Sequence, residues 1–366
     1  GLILVKEGHA EGAASLERVA VTEAGHPVPD ARGERAAREM ITLLGPTGVS
    51  YLILCLISGG GSALLNAPVP GVSLADMQTL TGQLLASSAA IHELNALRKH
   101  LDQLKGGQLA RLAAPSPVAA LILSDVVGNF LDVIASGPTV PDPTTYHDAW
   151  QVLVRFGLEA AAPEAVIRHL QRGLRGEVPE TPKPGDPLFR RVQNVLVGSN
   201  LQAAEAAQQA ARKAGFRAQI LTSELTGEAS EKGRWLGRVA RMLALTGHPL
   251  GRPACLIAGG ETTVTLRGAG RGGRNQELAL AAVPELAGLP DVALLTLATD
   301  GGDGPTDAAG ALVTGETLAR AKSLGLDPAD FLARNDAYTF FDALGDLLRP
   351  GPTQTNVNDL AFVFAF

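Results

Sequence analysis

The sequence is poor in cysteine, in aromatic residues and in long apolar runs. Its 366 residues include two cysteines and 4% aromatic residues. Because Cys55 and Cys255 lie far apart in separate apolar segments, we expect reduced thiols, no cysteine-based zinc site and a cytoplasmic location. No apolar run approaches the roughly 18 residues of a membrane-spanning helix, and no signal peptide is visible, so we expect no membrane partner.

Further absences narrow the class of protein. The formal net charge of −6 gives no excess of basic residues, so we expect no nucleic-acid partner. No glycine is followed by lysine, which excludes the Walker A loop of ordinary P-loop kinases. The sequence begins with Gly1 rather than methionine and runs directly into an apolar segment, so we expect that some N-terminal sequence is missing.

The order of the predicted elements indicates two α/β domains. Hydrophobic residues make up 46% of the chain and are interrupted by 42 glycines and 23 prolines, which is typical of a globular protein. Strand-like and helix-like segments alternate on both sides of a stretch rich in glycine, proline and charge at 173–190. We therefore predict domains at 1–180 and 190–366 with a cleft between them. Pairing of the last strand, 360–366, with the first domain is left open.

Four apolar segments each end in a short loop of glycine or polar residues. The first segment, 51–57, shows no alternation and is expected to be a strand buried on both faces. Because ligands bind at the carboxyl ends of strands in open α/β sheets, the loops predict an active site. The loops are Ser58-Gly59-Gly60-Gly61-Ser62, Ser124-Asp125, Gly259-Gly260-Glu261-Thr262 and Asp300-Gly301-Gly302-Asp303-Gly304.

Charged residues in and near these loops suit phosphoryl transfer, which depends on positioning and charge neutralisation. Arg271 and Arg274 lie on glycine-rich backbone, and guanidinium groups match phosphate oxygens. Asp300 and Asp303 are candidate Mg²⁺ ligands, although Asp303 also fits a turn-forming role. Asp125 is a candidate base or second metal ligand. Asp125 belongs to the first predicted domain and the two arginines to the second, so we expect them to meet across the cleft, around the terminal phosphate of a nucleotide.

A second interpretation is a nicotinamide-dependent enzyme. Gly268, Gly270 and Gly273 form a G-x-G-x-x-G pattern before a predicted helix, and Asp300 follows at the distance of a ribose-binding carboxylate. The two arginines within and just after the pattern argue against it. So does the alternating polar character of Thr262 to Arg267, which we predict to be a strand with one solvated face.

Taken together, the motifs resemble the type 2 glycerate kinases, whose C-terminal part is called the MOFRL domain. The resemblance runs through nearly the whole chain, in order. The matching segments are Gly25 to Asp30, Ser58 to Ala63, Asn95 to Leu101, Lys105 to Gly107, Ser124 to Gly128, Ile134 to Asp142, Gly259 to Val264, Gly270 to Glu277, Thr299 to Gly310, Asn335 to Asp336 and Gly351 to Asp359.

The resemblance implies an ATP-dependent kinase that phosphorylates D-glycerate at the 2-hydroxyl to give 2-phosphoglycerate and ADP, with Mg²⁺ or another divalent cation. It also implies a Rossmann-like first domain with a mainly parallel sheet and a second α/β domain that includes the MOFRL region. The alternatives are an NAD(P)H-dependent hydroxypyruvate reductase, an older label in this family, and a non-enzymatic sugar-acid binding protein. Glycerate and nucleotide are the expected partners, and a homodimer is left open.

We assign site residues from the loops and the matching segments together. The catalytic candidates are Asp125, Arg274, Arg271 and Lys105, although Lys105 and Arg98 also fit a solvated helix face. The metal candidates are Asp300 and Asp303. The nucleotide or substrate candidates are Ser58, Gly59, Gly60, Gly61, Ser62, Asn95, Arg98, Gly259, Gly260, Glu261, Thr262, Asn275, Asn335 and Asn356.

The chain departs from the family pattern at several positions. The family also carries a lysine in a Gly-Lys-Ala stretch upstream of the point at which this sequence begins, and we assign no residue here to it. The residues Asp102, Asn129, Ala337 and Pro350 stand where serine, aspartate, serine and threonine are common. Asp125, Arg271 and Arg274 are retained, so the proposed chemistry keeps its charged groups.

Overall fold

The protein is an α/β protein built from two compact units, as a computed structural model describes it for residues 1–10, 16–45 and 47–366. The first unit comprises 1–123 and 130–197, and the second comprises 124–129 and 198–366. Instead of a boundary near 180–190, the chain leaves the first unit at Ser124 and returns to it at Phe130. The predicted base Asp125 therefore belongs to the second unit, where the amide of Ser124 donates to the carbonyl of Gly198 (2.9 Å).

Within its described residues, the first unit contains five strands in two sheets. The strands are β1 (Leu2–Lys6), β2 (Ala20–Ala24), β3 (Ile53–Ile57), β4 (Val118–Leu123) and β5 (Val192–Gly198). One sheet pairs β1 with β2 and the other has the order β3-β4-β5. The β1–β2 and β3–β4 pairs are parallel, as the sequence predicts for this domain.

The first unit also contains seven α-helices in its described residues. They are α1 (Ala31–Leu44), α2 (Gly61–Leu64), α3 (Leu74–Ala86), α4 (Ile91–His100), α5 (Gln108–Ala113), α6 (Tyr146–Arg155) and α7 (Glu164–Leu174). Ser73 caps α3 together with Asp76, each side chain accepting a bond from the other residue's backbone. Leu94, Leu97 and Leu101 pack in one core with residues of α3, α6 and α7, as their helical spacing predicts.

The strand β3 is buried on one face only. The side chains of Leu54 and Leu56 are 59% and 68% exposed, whereas those of Ile53 and Cys55 pack against the core. The prediction of a strand buried on both faces is therefore wrong for β3, because its apolar residues do not all find partners in this unit.

The second unit is built on one mixed sheet of six strands in the order β10-β9-β8-β11-β7-β6. The strands are β6 (Arg217–Glu228), β7 (Ala254–Thr263), β8 (Val292–Ala298), β9 (Gly310–Thr314), β10 (Leu347–Leu348) and β11 (Asp359–Ala365). The helices are α8 (Asn200–Lys213), α9 (Ala229–Thr246), α10 (Arg274–Leu286), α11 (Thr317–Ser323), α12 (Pro328–Ala333) and α13 (Ala337–Leu344).

The last strand, β11, lies in the middle of this sheet. It pairs antiparallel with β7 on one side and with β8 on the other. Pairing with the second unit replaces the pairing with the first domain that the sequence left open, because the apolar β11 fits between two apolar strands. The strand β7 ends at Thr263, so the predicted strand from Thr262 to Arg267 is not formed beyond that residue.

None of the described helices is both long enough and apolar enough to cross a membrane.

The stretch 173–190, predicted as a linker, contains the end of α7 and packs on the first unit. Its residue Glu180 is held by three donors: the ring Nε2 of His100 (3.1 Å), the amide of Tyr146 (2.9 Å) and the Nζ of Lys183 (3.0 Å). Thr181 adds a hydrogen bond to the buried carboxylate of Asp142 (2.9 Å). This segment is therefore fixed to the first unit.

The pKa of Glu180 gives this attachment a measurable pH dependence. Burial raises the pKa of Glu180, but the bonds from His100, Tyr146 and Lys183 outweigh it and lower the pKa to about 2. Because this value lies below the usual 4.5, the contribution to stability is present above pH 4.5 and is lost as the pH falls towards 2.

We expect Glu180→Gln to lower the stability of the first unit by about 1 kcal/mol at pH 7, since water screens a carboxylate that is 39% exposed. Between pH 4.5 and 2 the variant should lose less stability than the unmodified chain. Urea unfolding measured in a Trp235→Phe background, so that Trp150 reports on the first unit, tests this. Glu205→Gln, in an exposed residue of α8, is the control, and equal acid slopes for all three chains would contradict the prediction.

Candidate active site

Arg274, the first residue of α10, is held by two carboxylates from neighbouring strands. Its Nε donates to Oδ2 of Asp359 (2.6 Å), its Nη2 to Oδ1 of the same residue (3.2 Å), and its Nη1 to Oε1 of Glu261 (2.6 Å). Glu261 lies on β7 and Asp359 begins β11, which is the neighbour of β7. The guanidinium is therefore fixed in orientation, while the side chain of Arg274 is 31% exposed.

The start of α10 is fastened by a third carboxylate, that of Asp303. This residue is 2% exposed, and its two oxygens accept the backbone N–H groups of Asn275 (3.2 Å) and Gln276 (2.9 Å). Gly273 is required beside it, because a Cβ there would lie 2.3 Å from the Cγ of Asp303. These contacts give Asp303 a structural function at a helix N-terminus, where a negative charge is favourable.

Carboxylates outnumber cations in this cluster. Burial raises the pKa of Glu261, and the charges of Asp359 and Asp125 raise it further, against the lowering effect of Arg274. Burial likewise raises the pKa of Asp359, and it raises that of Asp303 to about 6. Burial lowers the pKa of Arg274, but its bonds to Asp359 and the charges of Asp359 and Glu261 outweigh this and raise it. The guanidinium is firmly charged, and the cluster can accept further cations.

The structure brings two other predicted residues into this electrostatic group. Asp125 acts on Glu261, and Asp300 acts on Asp359, through their charges. Asp300 is exposed, and its carboxylate accepts a hydrogen bond from the amide of Gly302 (3.1 Å). The loop that bears Asp300 and Asp303 thus carries one buried carboxylate bound to a helix and one exposed carboxylate.

Arg271 makes a different set of contacts from Arg274. Its guanidinium lies 4.0 Å from the ring centroid of Tyr338 and 3.9 Å from the carboxylate of Asp307. Arg349 also bonds to Asp307 and to the hydroxyl of Tyr338. Tyr338 and Asp307 therefore compete with any ligand for this arginine.

The glycine pattern 268–273 is packed against the segment Arg334–Asp336. The amides of Arg267 and Gly268 donate to Oδ1 of Asn335 (2.6 and 3.1 Å), that of Gly270 to the carbonyl of Arg334 (3.0 Å), and that of Arg271 to Asp336 (3.1 Å). A dinucleotide fingerprint needs such N–H groups free for the pyrophosphate. Here they bind the protein's own chain, which argues against the nicotinamide interpretation.

Both the oxygen and the nitrogen of the Asn335 side-chain amide have hydrogen-bond partners. Its Nδ2 donates to the carboxylate of Glu277 (3.1 Å) and to the carbonyl of Thr265 (3.3 Å), and it is 6% exposed. Its position in the left-handed region (φ 55°) is one that asparagine tolerates. The ligand-binding assignment of Asn335 stays a prediction, and its contacts are those of a residue that shapes the glycine loop.

Gly259 to Thr262 are part of β7 rather than a loop. Gly259 and Gly260 pair with Leu360 and Asp359 of β11, and Gly260 also pairs with Leu225 of β6. Close approach explains the glycines: a Cβ on Gly259 would lie 1.9 Å from Oδ1 of Asn200. The predicted cradle is thus a buried stretch of sheet, with Glu261 as the residue that reaches Arg274.

In the first unit, the loop Ser58–Ser62 leads into α2 as predicted. Gly60 has the left-handed φ of 80°, and Gly61 packs so closely on Ala135 that a Cβ would lie 2.7 Å from it. A chain of side-chain hydrogen bonds starts here: Ser62 Oγ to Ser136 Oγ (2.9 Å) and Ser136 Oγ to Asn95 Oδ1 (3.0 Å). The predicted loop and the predicted Asn95 of α4 are therefore joined by direct contacts.

Lys105 is fully buried and paired, in contrast to its predicted catalytic function. Its Nζ binds the carboxylate of Asp102 (3.0 Å), Oδ1 of Asn66 (3.1 Å) and the carbonyl of Leu65. All three N–H donors of the ammonium thus have acceptors inside the first unit. This arrangement is a structural ion pair, because no donor remains for a ligand.

The other assigned residues are distributed between the two units. Asn275 is buried at the start of α10, and Asn356 accepts the amide of Asn358 (3.0 Å) in the loop before β11. Arg98 is half-buried on α4. Sequence reasoning missed Asp359 as a site residue. The predicted loops each follow an apolar strand, whereas Asp359 ends a polar loop that comes directly before one.

Comparison with known proteins gives the family. Residues 1–171 match a domain of unknown function, DUF4147, and residues 254–359 match the MOFRL family. A D-glycerate 2-kinase of Thermotoga maritima is 44% identical over 98% of this chain and 83% of its own length. A glycerate 2-kinase of Pyrococcus horikoshii is 43% identical over 98% of this chain and 80% of its own length. The chain belongs to the glycerate kinase family.

A solved structure supports the same assignment to the glycerate kinase family. The crystal structure of the Thermotoga maritima glycerate kinase superposes with a TM-score of 0.93 at 43% identity, covering 100% of this chain and 85% of that one. The family resemblance that the sequence motifs indicate is therefore confirmed.

The packing of the glycine loop in this family member leads to a stability prediction. Gly270→Ala should destabilise the second unit by about 2 kcal/mol or more, because the new Cβ would lie 2.5 Å from Cβ of Asp336 and 2.6 Å from the carbonyl of Arg334. Gly82→Ala, in a helix position with open space, is the control and should be neutral or stabilising by up to about 1 kcal/mol. Urea unfolding measures both. Unchanged stability of Gly270→Ala would contradict this prediction.

Proposed function

We propose that this chain is an ATP-dependent glycerate 2-kinase, which transfers the γ-phosphoryl group of ATP to the 2-hydroxyl of D-glycerate. The observation that carries the proposal is Arg274, a charged and partly exposed guanidinium fixed by Glu261 and Asp359 in a chain that matches glycerate 2-kinases over 98% of its length. Phosphoryl transfer needs such a positioned cation, because charge develops on the moving group.

Arg274 has donors left for this purpose. A guanidinium carries five N–H donors, and the bonds to Asp359 and Glu261 use three of them. Two N–H groups therefore remain for phosphoryl oxygens. The carboxylates hold the guanidinium in place before the nucleotide arrives, which limits the reorganisation that the reaction requires.

Asp125 is the base that we assign to the substrate hydroxyl. The hydroxyl oxygen forms the new bond to the γ-phosphorus, the bond from that phosphorus to the bridging oxygen breaks, ADP leaves, and the hydroxyl proton passes to the carboxylate. Asp125 lies in the same unit as Arg274 and close enough to Glu261 for its charge to raise the pKa there. A base must be near the group that neutralises the phosphoryl charge, and this placement meets that need.

A divalent cation, Mg²⁺ by preference, fits the excess of carboxylates around Arg274. Among residues 1–10, 16–45 and 47–366, no three acidic, histidine or cysteine side chains converge on one metal position. Mg²⁺ is commonly held by one or two carboxylates together with substrate phosphates, and Asp300 is the exposed carboxylate available for this. The ion would neutralise charge on the phosphates. Asp303, the other predicted ligand, has both oxygens on the helix N-terminus.

The cytoplasm is the proposed location, since both cysteines are unpaired thiols, as in a reducing compartment. The reductase alternative predicts NADH oxidation with hydroxypyruvate and no need for ATP, and a sugar-acid sensor predicts binding without turnover. A coupled assay for ADP with glycerate, ATP and Mg²⁺, run beside an NADH oxidation assay, separates the three.

Removal of the guanidinium tests the central assignment. We expect Arg274→Ala to lower kcat by about 10³–10⁵, the range for a cation that acts on the transferring phosphoryl group. Arg274→Lys should be intermediate, since it keeps the charge but cannot bind Asp359 through two parallel bonds. Arg238→Ala, on the exposed side of α9, is the control. A loss below tenfold in Arg274→Ala, with Trp235 fluorescence showing a folded second unit, would exclude this function for Arg274.

Metal removal separates the two carboxylates of the loop. EDTA should abolish ADP formation, and added Mg²⁺ should restore it. We expect Asp300→Asn to raise the Mg²⁺ concentration for half-maximal activity by about tenfold, because it removes one charged ligand. Asp303→Asn should instead lower stability and leave that concentration near its original value. The opposite pattern, with the Mg²⁺ requirement raised only in Asp303→Asn, would identify Asp303 rather than Asp300 as the metal ligand.

A further inference from the structure

Asn200, the first residue of α8, binds the backbone of the segment that carries Asp359. Its side-chain Nδ2 donates to the carbonyl of Val357 (2.9 Å) and to the carbonyl of Asp359 (2.9 Å). The three residues are 6%, 4% and 7% exposed. Both N–H groups of one amide are therefore used on two backbone carbonyls that are buried away from water.

These two bonds reach Asp359 from the face of the sheet opposite to Arg274. Leu360 of β11 packs in the core that contains residues of α8, whereas Ala361 packs in the core that contains residues of α10. Because successive side chains of a strand point to opposite faces, the side chain of Asp359 points to the face of α10, where it binds Arg274. Asn200 thus holds the backbone of Asp359 while the carboxylate holds the guanidinium.

Gly259 leaves the space through which Asn200 reaches this segment. It lies on β7, the neighbour of β11, where it pairs with Leu360. A Cβ on Gly259 would lie 1.9 Å from Oδ1, 2.8 Å from Cγ and 3.1 Å from Nδ2 of Asn200, so its three nearest atoms would all belong to that one side chain. The φ of Gly259 is outside the left-handed region, so glycine is needed here for space and not for backbone conformation.

The oxygen of the same amide has no hydrogen-bond donor within the described residues. Oδ1 of Asn200 is buried and unpartnered, which is unfavourable for an acceptor. Turning the amide over would place this oxygen against the carbonyls of Val357 and Asp359, so the two carbonyls fix its orientation. The position therefore uses the donors of asparagine rather than its acceptor.

We propose that Asn200 is a positioning residue for phosphoryl transfer. It fixes the backbone at 357–359 so that the carboxylate of Asp359 aligns the guanidinium of Arg274, and Gly259 provides the space for it. The inference rests on the proposed function, and all of these residues lie within the second unit. A displacement of about 1 Å in a positioned group is enough to cost about 100-fold in rate, so loss of these two bonds should be measurable.

The kinetics of Asn200→Ala in the ADP assay test this inference. We expect kcat to fall about 10- to 100-fold, because the released backbone lets Asp359 and Arg274 move. KM for ATP and for D-glycerate should stay unchanged, since the guanidinium acts on the group in transfer and not on ground-state binding. Gln208→Ala is the matched control: its amide, on the same helix, also donates to a strand carbonyl, that of Ala218 (3.1 Å). Its kcat should stay unchanged.

A double-mutant cycle separates positioning of Arg274 from a general structural role. In an Arg274→Lys background, Asn200→Ala should lower kcat by less than about threefold, because lysine cannot form the two parallel bonds that Asn200 helps to align. A residue whose effect does not pass through Arg274 would lower kcat by the same factor in both backgrounds.

Gly259→Ala is a second route to the same defect. Its Cβ should displace Asn200 and lower kcat as Asn200→Ala does. The double variant Gly259→Ala, Asn200→Ala should unfold at a higher urea concentration than Gly259→Ala, since the clash is gone, while its kcat stays low because the donors are still missing. Trp235 fluorescence in a Trp150→Phe background reports whether the second unit is folded. Should Asn200→Ala alone fail to fold, the double variant, with a methyl group in the vacated space, replaces it in the kinetics.

The outcomes distinguish this inference from the proposed function. Absence of ADP formation by the unmodified chain would overturn the kinase itself. An active unmodified chain together with an unchanged kcat in folded Asn200→Ala would overturn the positioning function alone. Equal factors in the two Arg274 backgrounds, or a raised KM with an unchanged kcat, would overturn it as well.

Discussion

The ion pairs of Arg274 with Asp359 and Glu261 are the interaction on which the candidate site depends. They join the first residue of α10 to the ends of two adjacent strands, β7 and β11, so the orientation of the guanidinium is set by the sheet. Asp303 fastens the same helix start from the loop after β8. Two adjacent strands therefore hold the guanidinium, and the loop after β8 holds the start of the helix that carries it.

Local patterns were sufficient to predict most of the regular elements. The apolar runs at 51–57 and 360–366 correspond to the strands β3 and β11. The α/β class and the family also follow from the sequence. What these strands share is that their cause lies within a few neighbouring residues, in an uninterrupted apolar run.

The failures have a common cause in contacts between distant parts of the chain. Gly259 and Gly260 look like a loop in sequence, yet they pair with β11 as strand residues. They are glycines because Asn200 and Leu225 approach too closely for a side chain. The pattern at 268–273 imitates a dinucleotide fingerprint, yet its glycines are needed for packing against Arg334–Asp336. A glycine reports close approach of a neighbour, and sequence alone does not say whether that neighbour is protein or ligand.

The sequence likewise does not show whether the charge of a residue is balanced by the protein or by a ligand. The contacts of that residue in the structure do show it. Lys105 and Arg98 are indistinguishable as basic residues near a predicted helix end, but Lys105 is balanced by Asp102 and Arg98 is balanced by nothing in the described chain. A buried charge that the fold neutralises contributes to structure, and one that it leaves unbalanced is available to a ligand. In the second unit the same reasoning applies with opposite sign, since carboxylates outnumber Arg274 and leave room for a metal cation. Each unit is thus described best by the charge that its own residues do not cancel.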